Sequence, residues 1–217
     1  MFDFHRHFTK SPAIENAFYA TSSINEWDNL AKFKSLGLLA DNLTMDKMSF
    51  ENNLKDKLNS NNKLHIGEIG LDKRYSNFDK QLEFFNSAIK IAYEFDRILT
   101  IHIVNANSAL IEILEENINK LPKYIIYHGF NKSLELAKQL KKYNVIVSIN
   151  PKIIKTKLFN NITDLDHLGF LVESDWDQIT DQGYNNYFTS FISTLEDKGA
   201  IHFKDINNEF RSILENF

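Results

Sequence analysis

The chain has 217 residues, a formal charge of −4, 43% hydrophobic residues and 25% charged residues. This composition argues against a disordered chain, and the sequence has no apolar run long enough to predict a membrane span. The absence of cysteine excludes disulfides and thiolate metal sites, so any metal must be held by His, Asp or Glu side chains.

Short apolar runs rich in Ile, Val, Phe and Tyr alternate with longer amphipathic segments, a pattern typical of βα units on a parallel sheet. The runs predict eight strands, at residues 2–5, 18–22, 37–41, 65–71, 99–104, 124–128, 145–149 and 170–174. The amphipathic spacing predicts helices at residues 78–95 and 108–119, and two last helices at about 185–196 and 205–215. Eight strands with helices between them predict an α/β protein with a (β/α)₈ TIM-type barrel, complete or in a distorted or abbreviated form.

A doubly wound open sheet is the alternative fold, and both folds place ligands at the carboxyl ends of their strands. The barrel is favoured because polar strand ends are spread along the whole chain and are not gathered at one switch point. No run of Pro, Gly or Ser marks a linker, so we expect a single domain over residues 1–217.

The first predicted strand carries three polar side chains at alternating positions, in the segment MFDFHRHF. His5 and His7 are two residues apart, so on a strand they share one face with Asp3. Two imidazoles on one face can bind one cation, although a lone H-x-H near a terminus also arises by chance or in a solvated loop.

Glu68 lies between two glycines in the fourth predicted strand, in the segment HIGEIGLD, which otherwise has the character of a buried strand. A buried carboxylate is costly without a positive partner. A bound cation would remove that cost, and the alternative is a structural ion pair with a basic residue. The position therefore makes Glu68 a candidate metal ligand.

Further polar residues stand at the ends of three later strands: His102 in ILTIHIV, His128 in KYIIYHGF and Asp175 in LGFLVESD. Glu173, two residues before Asp175, is either a buried acid or a partner of a metal ligand. The carboxyl ends of barrel strands converge on one mouth, so five such strand ends together predict a metal site. Four His, one Glu and one Asp are too many for one tetrahedral ion and suit two ions that share a bridging carboxylate.

These segments resemble the TatD family of metal-dependent deoxyribonucleases, within the amidohydrolase-like barrels. The matching pieces are DFHRHF for the family's D-x-H-x-H, GEIGLD, IHIVNA for H-x-x-x-A, YHGF for H-x-F, and ESD for E-T-D, in the family's order over nearly the whole chain. The resemblance implies hydrolysis by a metal-activated water, with two divalent ions as cofactors, either zinc, manganese or magnesium.

The resemblance also implies a role for each of the strand-end residues. His5, His7 and Asp175 would hold the first ion, His102 and His128 the second, and Glu68 would bridge them. Asp175 and Glu68 would be the catalytic residues, because Asp175 would also orient or deprotonate the attacking water. Asp3 and Asp72 would have no ligand role and would fix a histidine tautomer or a neighbouring loop.

The chain departs from the family pattern at three places around the expected substrate pocket. GLLADN replaces the family's G-x-H-P, Val104 stands where an arginine commonly serves the phosphate, and Trp176 and Asp177 follow ESD where the family has a proline. Phosphate contacts are therefore expected from other cations, namely Arg6, Lys73, Arg74, Lys152, Lys155 and Lys157, with Lys73 and Arg74 foremost. Tyr75, Phe130 and Trp176 would either stack on unpaired bases or serve in packing.

We therefore expect a TatD-like hydrolase with two metal ions, a deoxyribonuclease or phosphodiesterase that acts on single-stranded or frayed DNA ends in the cytoplasm. The alternatives are an amidohydrolase-like enzyme that cleaves an amide, a lactone or a small phosphoester, and a catalytically weak metal-binding barrel that acts as an interaction protein. Polar residues interrupt any apolar stretch at the start of the chain, so no signal peptide is expected, nor any membrane or protein partner.

Overall fold

Eight parallel strands form one sheet in the computed structural model, which describes residues 1–217. The strands are β1 (Asp3–Arg6), β2 (Ala17–Ala20), β3 (Phe33–Leu36), β4 (Leu64–Asp72), β5 (Leu99–Val104), β6 (Ile125–Tyr127), β7 (Val145–Ile149) and β8 (Phe170–Val172). Each strand pairs with the strand that follows it in sequence. This order confirms the predicted (β/α)₈ barrel and excludes a doubly wound sheet, in which the strand order reverses at a switch point.

Seven α-helices cover the sheet. They are α1 (Lys47–Ser60), α2 (Phe78–Glu94), α3 (Asn107–Glu116), α4 (Leu134–Leu140), α5 (Ile162–Leu168), α6 (Tyr184–Asp197) and α7 (Phe203–Glu215). No α-helix follows β1 or β2, where the chain crosses in loops with one short 3₁₀ helix, Ile24–Glu26. The barrel is therefore abbreviated in its first two βα units. No helix is both long enough and apolar enough to span a bilayer.

Seven of the eight predicted strands overlap the observed ones, but the third prediction, residues 37–41, is wrong because β3 lies just before it. Lys34 and Ser35 interrupt the apolar pattern of β3, yet both are buried. The Lys34 ammonium is satisfied inside the protein, since it donates to the carbonyl oxygens of Trp27, at 2.7 Å, and Asn29, at 2.6 Å. Because Lys34 and Ser35 are polar, the sequence pattern did not predict this buried strand.

Apolar side chains gather near the amino-terminal ends of the strands and pack against α7. The rings of Phe4 and Tyr124 lie 5.5 Å and 5.4 Å from the ring of Phe210 in α7. Burying one such side chain contributes roughly 1.5–3 kcal/mol to the free energy of unfolding. A larger apolar cluster fills the space between the sheet and the other helices. The polar strand-end side chains predicted as metal ligands lie at the opposite, carboxyl-terminal mouth of the barrel.

The barrel nearly closes between β1 and β8. These two strands form no regular ladder, but two backbone hydrogen bonds cross the gap near their carboxyl-terminal ends. The amide of Asp175 donates to the carbonyl of His5, and the amide of His7 donates to the carbonyl of Trp176, both at 2.9 Å. The seam therefore brings the segment after β1 beside the segment after β8.

Candidate metal centre

Six ligand-type side chains converge at the carboxyl-terminal mouth of the barrel, from five strands or the short segments that follow them. They are His5 and His7 (β1), Glu68 (β4), His102 (β5), His128 (β6) and Asp175 (β8). Ligand atoms of His5, Glu68 and His128 all lie within 4.8 Å of one another, and so do those of His5, His7 and Asp175. The structure thus brings together all six residues that the sequence predicts as metal ligands.

Glu68 lies at the centre of this cluster and faces all four histidines. Its Oε1 lies 2.6 Å from Nδ1 of His102 and 2.8 Å from Nε2 of His128. Its Oε2 lies 3.5 Å from Nε2 of His5 and 3.8 Å from Nε2 of His7. Each oxygen of one buried carboxylate therefore faces its own pair of imidazoles.

Two glycines of β4 allow Glu68 to occupy this position. A Cβ atom on Gly70 would lie 1.9 Å from the carbonyl oxygen of His102, and one on Gly67 would lie 2.4 Å from the carbonyl oxygen of Thr100. Gly67 also has a φ of +128°, which L side chains rarely adopt. The backbone of β4 therefore lies directly against β5, and the glycines that flank Glu68 fix the distance between Glu68 and His102.

Asp175 completes the cluster from the side of β8. Its Oδ1 lies 3.7 Å from Nε2 of His7, and its Oδ2 accepts a hydrogen bond from the exposed Lys152 ammonium at 2.6 Å. Burial would raise the pKa of Asp175, but the nearby His7 imidazole, the charge of His128 and the Lys152 hydrogen bond together lower it. Asp175 is therefore a carboxylate at neutral pH.

Three buried polar atoms in the cluster have no hydrogen-bond partner: Nδ1 and Nε2 of His5, and Oε2 of Glu68. Buried polar atoms are normally satisfied, and Nε2 of His5 lies 3.5 Å from Oε2 of Glu68, so this pair of atoms is suited to binding a cation. Imidazole nitrogens and carboxylate oxygens form a donor set that accepts a divalent ion such as zinc or manganese. The residues present therefore fit a bound metal.

Glu173 supports the cluster from behind His128. Its Oε1 accepts hydrogen bonds from the amide of Gly129, at 2.7 Å, and from Nδ2 of Asn150, at 3.1 Å, and lies 3.3 Å from Nδ1 of His128. With a metal bound, a proton kept on Nδ1 by Glu173 would leave the Nε2 lone pair of His128 directed at the cluster. Glu173 is thus a partner of a ligand-type histidine, the second of the two roles that the sequence left open.

Opposite charges keep the buried carboxylates ionised. Burial opposes the charge on Glu68, but the charge of His128 and hydrogen bonds from His102 and His128 hold its pKa well below the ordinary value. Burial likewise lowers the pKa of His128, but Glu68 and Glu173 outweigh burial and raise that pKa well above the ordinary value. For His5, burial and the charge of His128 lower the pKa, so its ring is neutral and able to act as a ligand.

The two predicted supporting carboxylates, Asp3 and Asp72, lie beside the cluster. Asp3 accepts hydrogen bonds from the amide of Ser174, at 2.8 Å, and from the hydroxyl of Tyr184, at 2.9 Å, and so ties β1 to the segment after β8. Burial raises the pKa of Asp3 to about 6. Asp72 holds the guanidinium of Arg74, with Arg74 Nε 2.9 Å and 3.0 Å from its two oxygens. Its Oδ2 lies 3.8 Å from Nε2 of His102.

Arg6 does not lie where the sequence predicts a phosphate contact. Its side chain is fully buried, its Nη2 donates to Asp181 at 2.6 Å, and its guanidinium lies 4.2 Å from the ring centre of Tyr184. It therefore holds the segment after β8 against β1 and does not reach the surface. Lys73 and Arg74, at the end of β4, are exposed as expected.

The predicted stacking residues also differ in position. Phe130 is buried at 1% exposure, with its ring 5.1 Å from the ring of Tyr127, so it is a packing residue. Tyr75 is 40% exposed on the segment after β4. Trp176 is half-buried on the segment after β8. Asn150 had no separate signal in the sequence, although its amide contacts Glu173 and also lies 3.4 Å from Asp175.

The chain is similar in sequence to one protein family and to two curated proteins. The family model described as TatD related DNase matches residues 3–214, which is nearly the whole chain. A curated relative from Methanocaldococcus jannaschii, described as an uncharacterized metal-dependent hydrolase, is 28% identical over 87 residues, 40% of this chain and 33% of that protein. The Schizosaccharomyces pombe protein called Deoxyribonuclease Tat-D is 30% identical over 95 residues, 42% of this chain and 30% of that protein. The matches thus span about a third of each curated relative.

Solved structures share the fold at low identity. YjjV, a TatD homologue from Escherichia coli, has a TM-score of 0.65 and 21% identity, over 75% of this chain and 68% of that chain. A TatD family hydrolase from Entamoeba histolytica has a TM-score of 0.59 and 16% identity, over 76% and 60% of the two chains. An uncharacterized amidohydrolase from Saccharomyces cerevisiae has a TM-score of 0.51 and 17% identity, over 83% and 70%. With the family model matching almost every residue, the chain belongs to the TatD family of metal-dependent hydrolases.

Proposed function

We propose that this hydrolase cleaves phosphodiester bonds at single-stranded or frayed DNA ends, with two divalent ions as cofactors. The position of Glu68 carries the proposal, because its two carboxylate oxygens face two different pairs of histidines. In this proposal His5, His7 and Asp175 would hold one ion, His102 and His128 would hold the other, and Glu68 would contribute to both. The name of the S. pombe relative supports DNA as the substrate class.

Bound divalent ions at such a site supply a water of lowered pKa and neutralise negative charge on a phosphoryl group. The chain's own residues orient the reactants. Asp175 is ionised at neutral pH and stands at the open side of the cluster, so it can accept a hydrogen bond from the attacking water. Glu173 fixes the ring of His128 through Nδ1. No covalent intermediate with the protein is required.

Exposed cations near the mouth provide the phosphate contacts in this proposal. Lys73 and Arg74 follow β4, and Lys152 follows β7. Asp72 holds the guanidinium of Arg74 in one orientation by hydrogen bonds. The side chain of Arg74 therefore loses less conformational entropy when it binds a phosphate. If phosphates are bound by these cations, affinity for DNA decreases steeply as the salt concentration rises.

The test is cleavage of an end-labelled single-stranded DNA oligonucleotide by metal-loaded protein, beside the Asp175→Asn variant. We expect stepwise shortening that requires metal and is lost in Asp175→Asn. Asp164→Asn is the matched control, because Asp164 is an exposed carboxylate on α5, outside the cluster. Absence of cleavage by protein shown to carry two metals would contradict DNA as the substrate.

A second candidate function is hydrolysis of an amide, a lactone or a small phosphoester. Val104 favours it, because this residue ends β5 where the TatD pattern commonly has a phosphate-binding arginine. Such a substrate needs fewer phosphate contacts, so its turnover would depend little on salt. Turnover of any of these substrates also separates both enzyme proposals from a metal-binding barrel that acts only as an interaction protein.

A further inference from the structure

A cleft of about 670 Å³ opens beside Asp175, within the size range of small-molecule sites. The segment after β8 forms most of its wall, together with Lys152 after β7 and Tyr187 on α6. Asp175 belongs both to this cleft and to the ligand cluster. A substrate held in the cleft would therefore extend directly into the candidate metal centre.

Aromatic and apolar groups form one wall of this cleft. Trp176 is held in place because its Nε1 donates to the carbonyl of Thr180 at 3.1 Å and its ring lies 5.7 Å from the buried ring of Tyr184. The ring of Tyr187 lies 5.4 Å from Trp176 and is 37% exposed, and Ile179 is 70% exposed. A fixed aromatic pair with accessible surface beside a reaction centre is suited to binding a flat ring.

The charges in the cleft are mixed. The Lys152 side chain is 66% exposed and its ammonium lies 2.6 Å from Asp175, while Asp177 also lines the cleft. This combination gives no strongly positive surface for a run of phosphates. Recognition here must depend on the rings, with one cation for one anionic group, and a nucleotide has this chemistry: a flat base joined to a single phosphate.

We propose that the cleft is a nucleoside subsite, in which the base next to the scissile phosphate stacks on Trp176 and Tyr187 while Lys152 contacts a flanking phosphate. This inference rests on the proposed function and adds a base-binding site to it. Stacking on aromatic side chains tolerates every base, so the subsite accepts single-stranded ends without sequence preference. A base inside a duplex cannot enter it, because both of its faces are already stacked.

Tryptophan fluorescence tests this placement without any turnover. The chain has two tryptophans, and Trp27 is buried in the core at 2% exposure, so Trp176 is the accessible one. Metal-free protein in chelator is titrated with a short thymidine oligonucleotide and with an abasic oligonucleotide of the same length. We expect the thymidine oligonucleotide to quench the emission and to bind about tenfold or more tightly than the abasic one.

Variants separate the ring contacts from the phosphate contact, with binding followed by anisotropy of a labelled oligonucleotide. We expect Trp176→Ala to weaken thymidine binding about tenfold and to leave abasic binding unchanged, and Trp176→Phe to restore most of the loss. Lys152→Gln should weaken both oligonucleotides equally and lower the salt slope by about one. The controls are Tyr93→Ala, an exposed ring on α2, and Lys142→Gln, an exposed lysine before β7.

Equal binding of thymidine and abasic oligonucleotides, or unchanged thymidine binding by Trp176→Ala, would overturn the subsite. If the metal-loaded protein still cleaves DNA in that case, the proposed function stands and only the subsite fails. If binding depends on the base but metal-loaded protein does not cleave DNA, the subsite stands and the proposed nuclease function fails. The two proposals therefore fail in different measurements.

Discussion

A single carboxylate, Glu173, determines how His128 presents its ring to the cluster. Its Oε1 lies 3.3 Å from Nδ1 of His128 and is fixed by the amides of Gly129 and Asn150. We predict that Glu173→Gln lowers zinc affinity by about tenfold to a hundredfold, because the neutral amide no longer stabilises positive charge on the metal-bound imidazole. Competition with a chromophoric chelator measures this affinity.

The matched control for that variant is Glu112→Gln, which removes an exposed carboxylate from α3. Its zinc affinity should equal that of the unmodified chain. An unchanged affinity in Glu173→Gln would show that packing alone holds the ring of His128, and that the carboxylate does not support the metal.

The pairing of His5 with His7 was predictable from the sequence, whereas the burial of Arg6 was not. His5 and His7 could be paired from their spacing, because a strand places residues two apart on one face. The partner of Arg6 could not be predicted, because Asp181 is 175 positions away along the chain and only the closed barrel brings them together. Strand-end positions are local information, whereas the burial of a charged residue depends on a distant partner.

Among the elements, β4 has the tightest steric requirement. A Cβ atom on Gly70 would meet the carbonyl oxygen of His102 at 1.9 Å, so β4 and β5 must separate to admit it. We predict that Gly70→Ala lowers the free energy of unfolding by roughly 3 kcal/mol or more and also weakens metal binding. Urea unfolding and chelator competition on the same samples measure both effects.

Gly183→Ala serves as the comparison for that prediction. Gly183 has a φ of +86° but nothing within 4 Å of its Cβ position. Gly183→Ala should lower the free energy of unfolding by about 1 kcal/mol, the cost of a positive φ for alanine, and should leave metal affinity unchanged. Similar losses in the two variants would mean that β4 and β5 admit the added methyl group at position 70 without the steric cost predicted here.

The strands themselves were mostly predictable, because alternating apolar runs encode them directly. The failure at β3 has a physical cause: Lys34 extends its ammonium to backbone carbonyls of Trp27 and Asn29 and so becomes a buried residue. Judged by its charge alone, a lysine predicts an exposed loop. Its long apolar stem and three donors permit burial wherever the fold provides carbonyl acceptors, which no local pattern reveals.

At the scale of the whole molecule, the candidate centre exists only when the barrel is closed. Its six side chains come from β1, β4, β5, β6 and β8 or the segments after them. The seam between β1 and β8 depends on a few bonds, including those of Asp3 to Ser174 and Tyr184. The unfolded chain has no equivalent arrangement of ligands, so metal binding and folding must be thermodynamically linked.

This linkage gives a prediction for metal removal. A metal that binds only the folded chain, at a free concentration of 100 times its Kd, adds about 2.7 kcal/mol to the free energy of unfolding. For a chain of this size we expect a rise in Tm of about 5–10 °C over the chelated protein. Differential scanning calorimetry with and without chelator measures it.

Glu68→Gln should lose most of this rise in Tm, because a neutral carboxamide binds divalent ions more weakly than a carboxylate, whereas Asp164→Asn should keep the rise. A Tm that is the same with and without bound metal would place the ion at a site that survives unfolding, and hence outside this five-strand cluster.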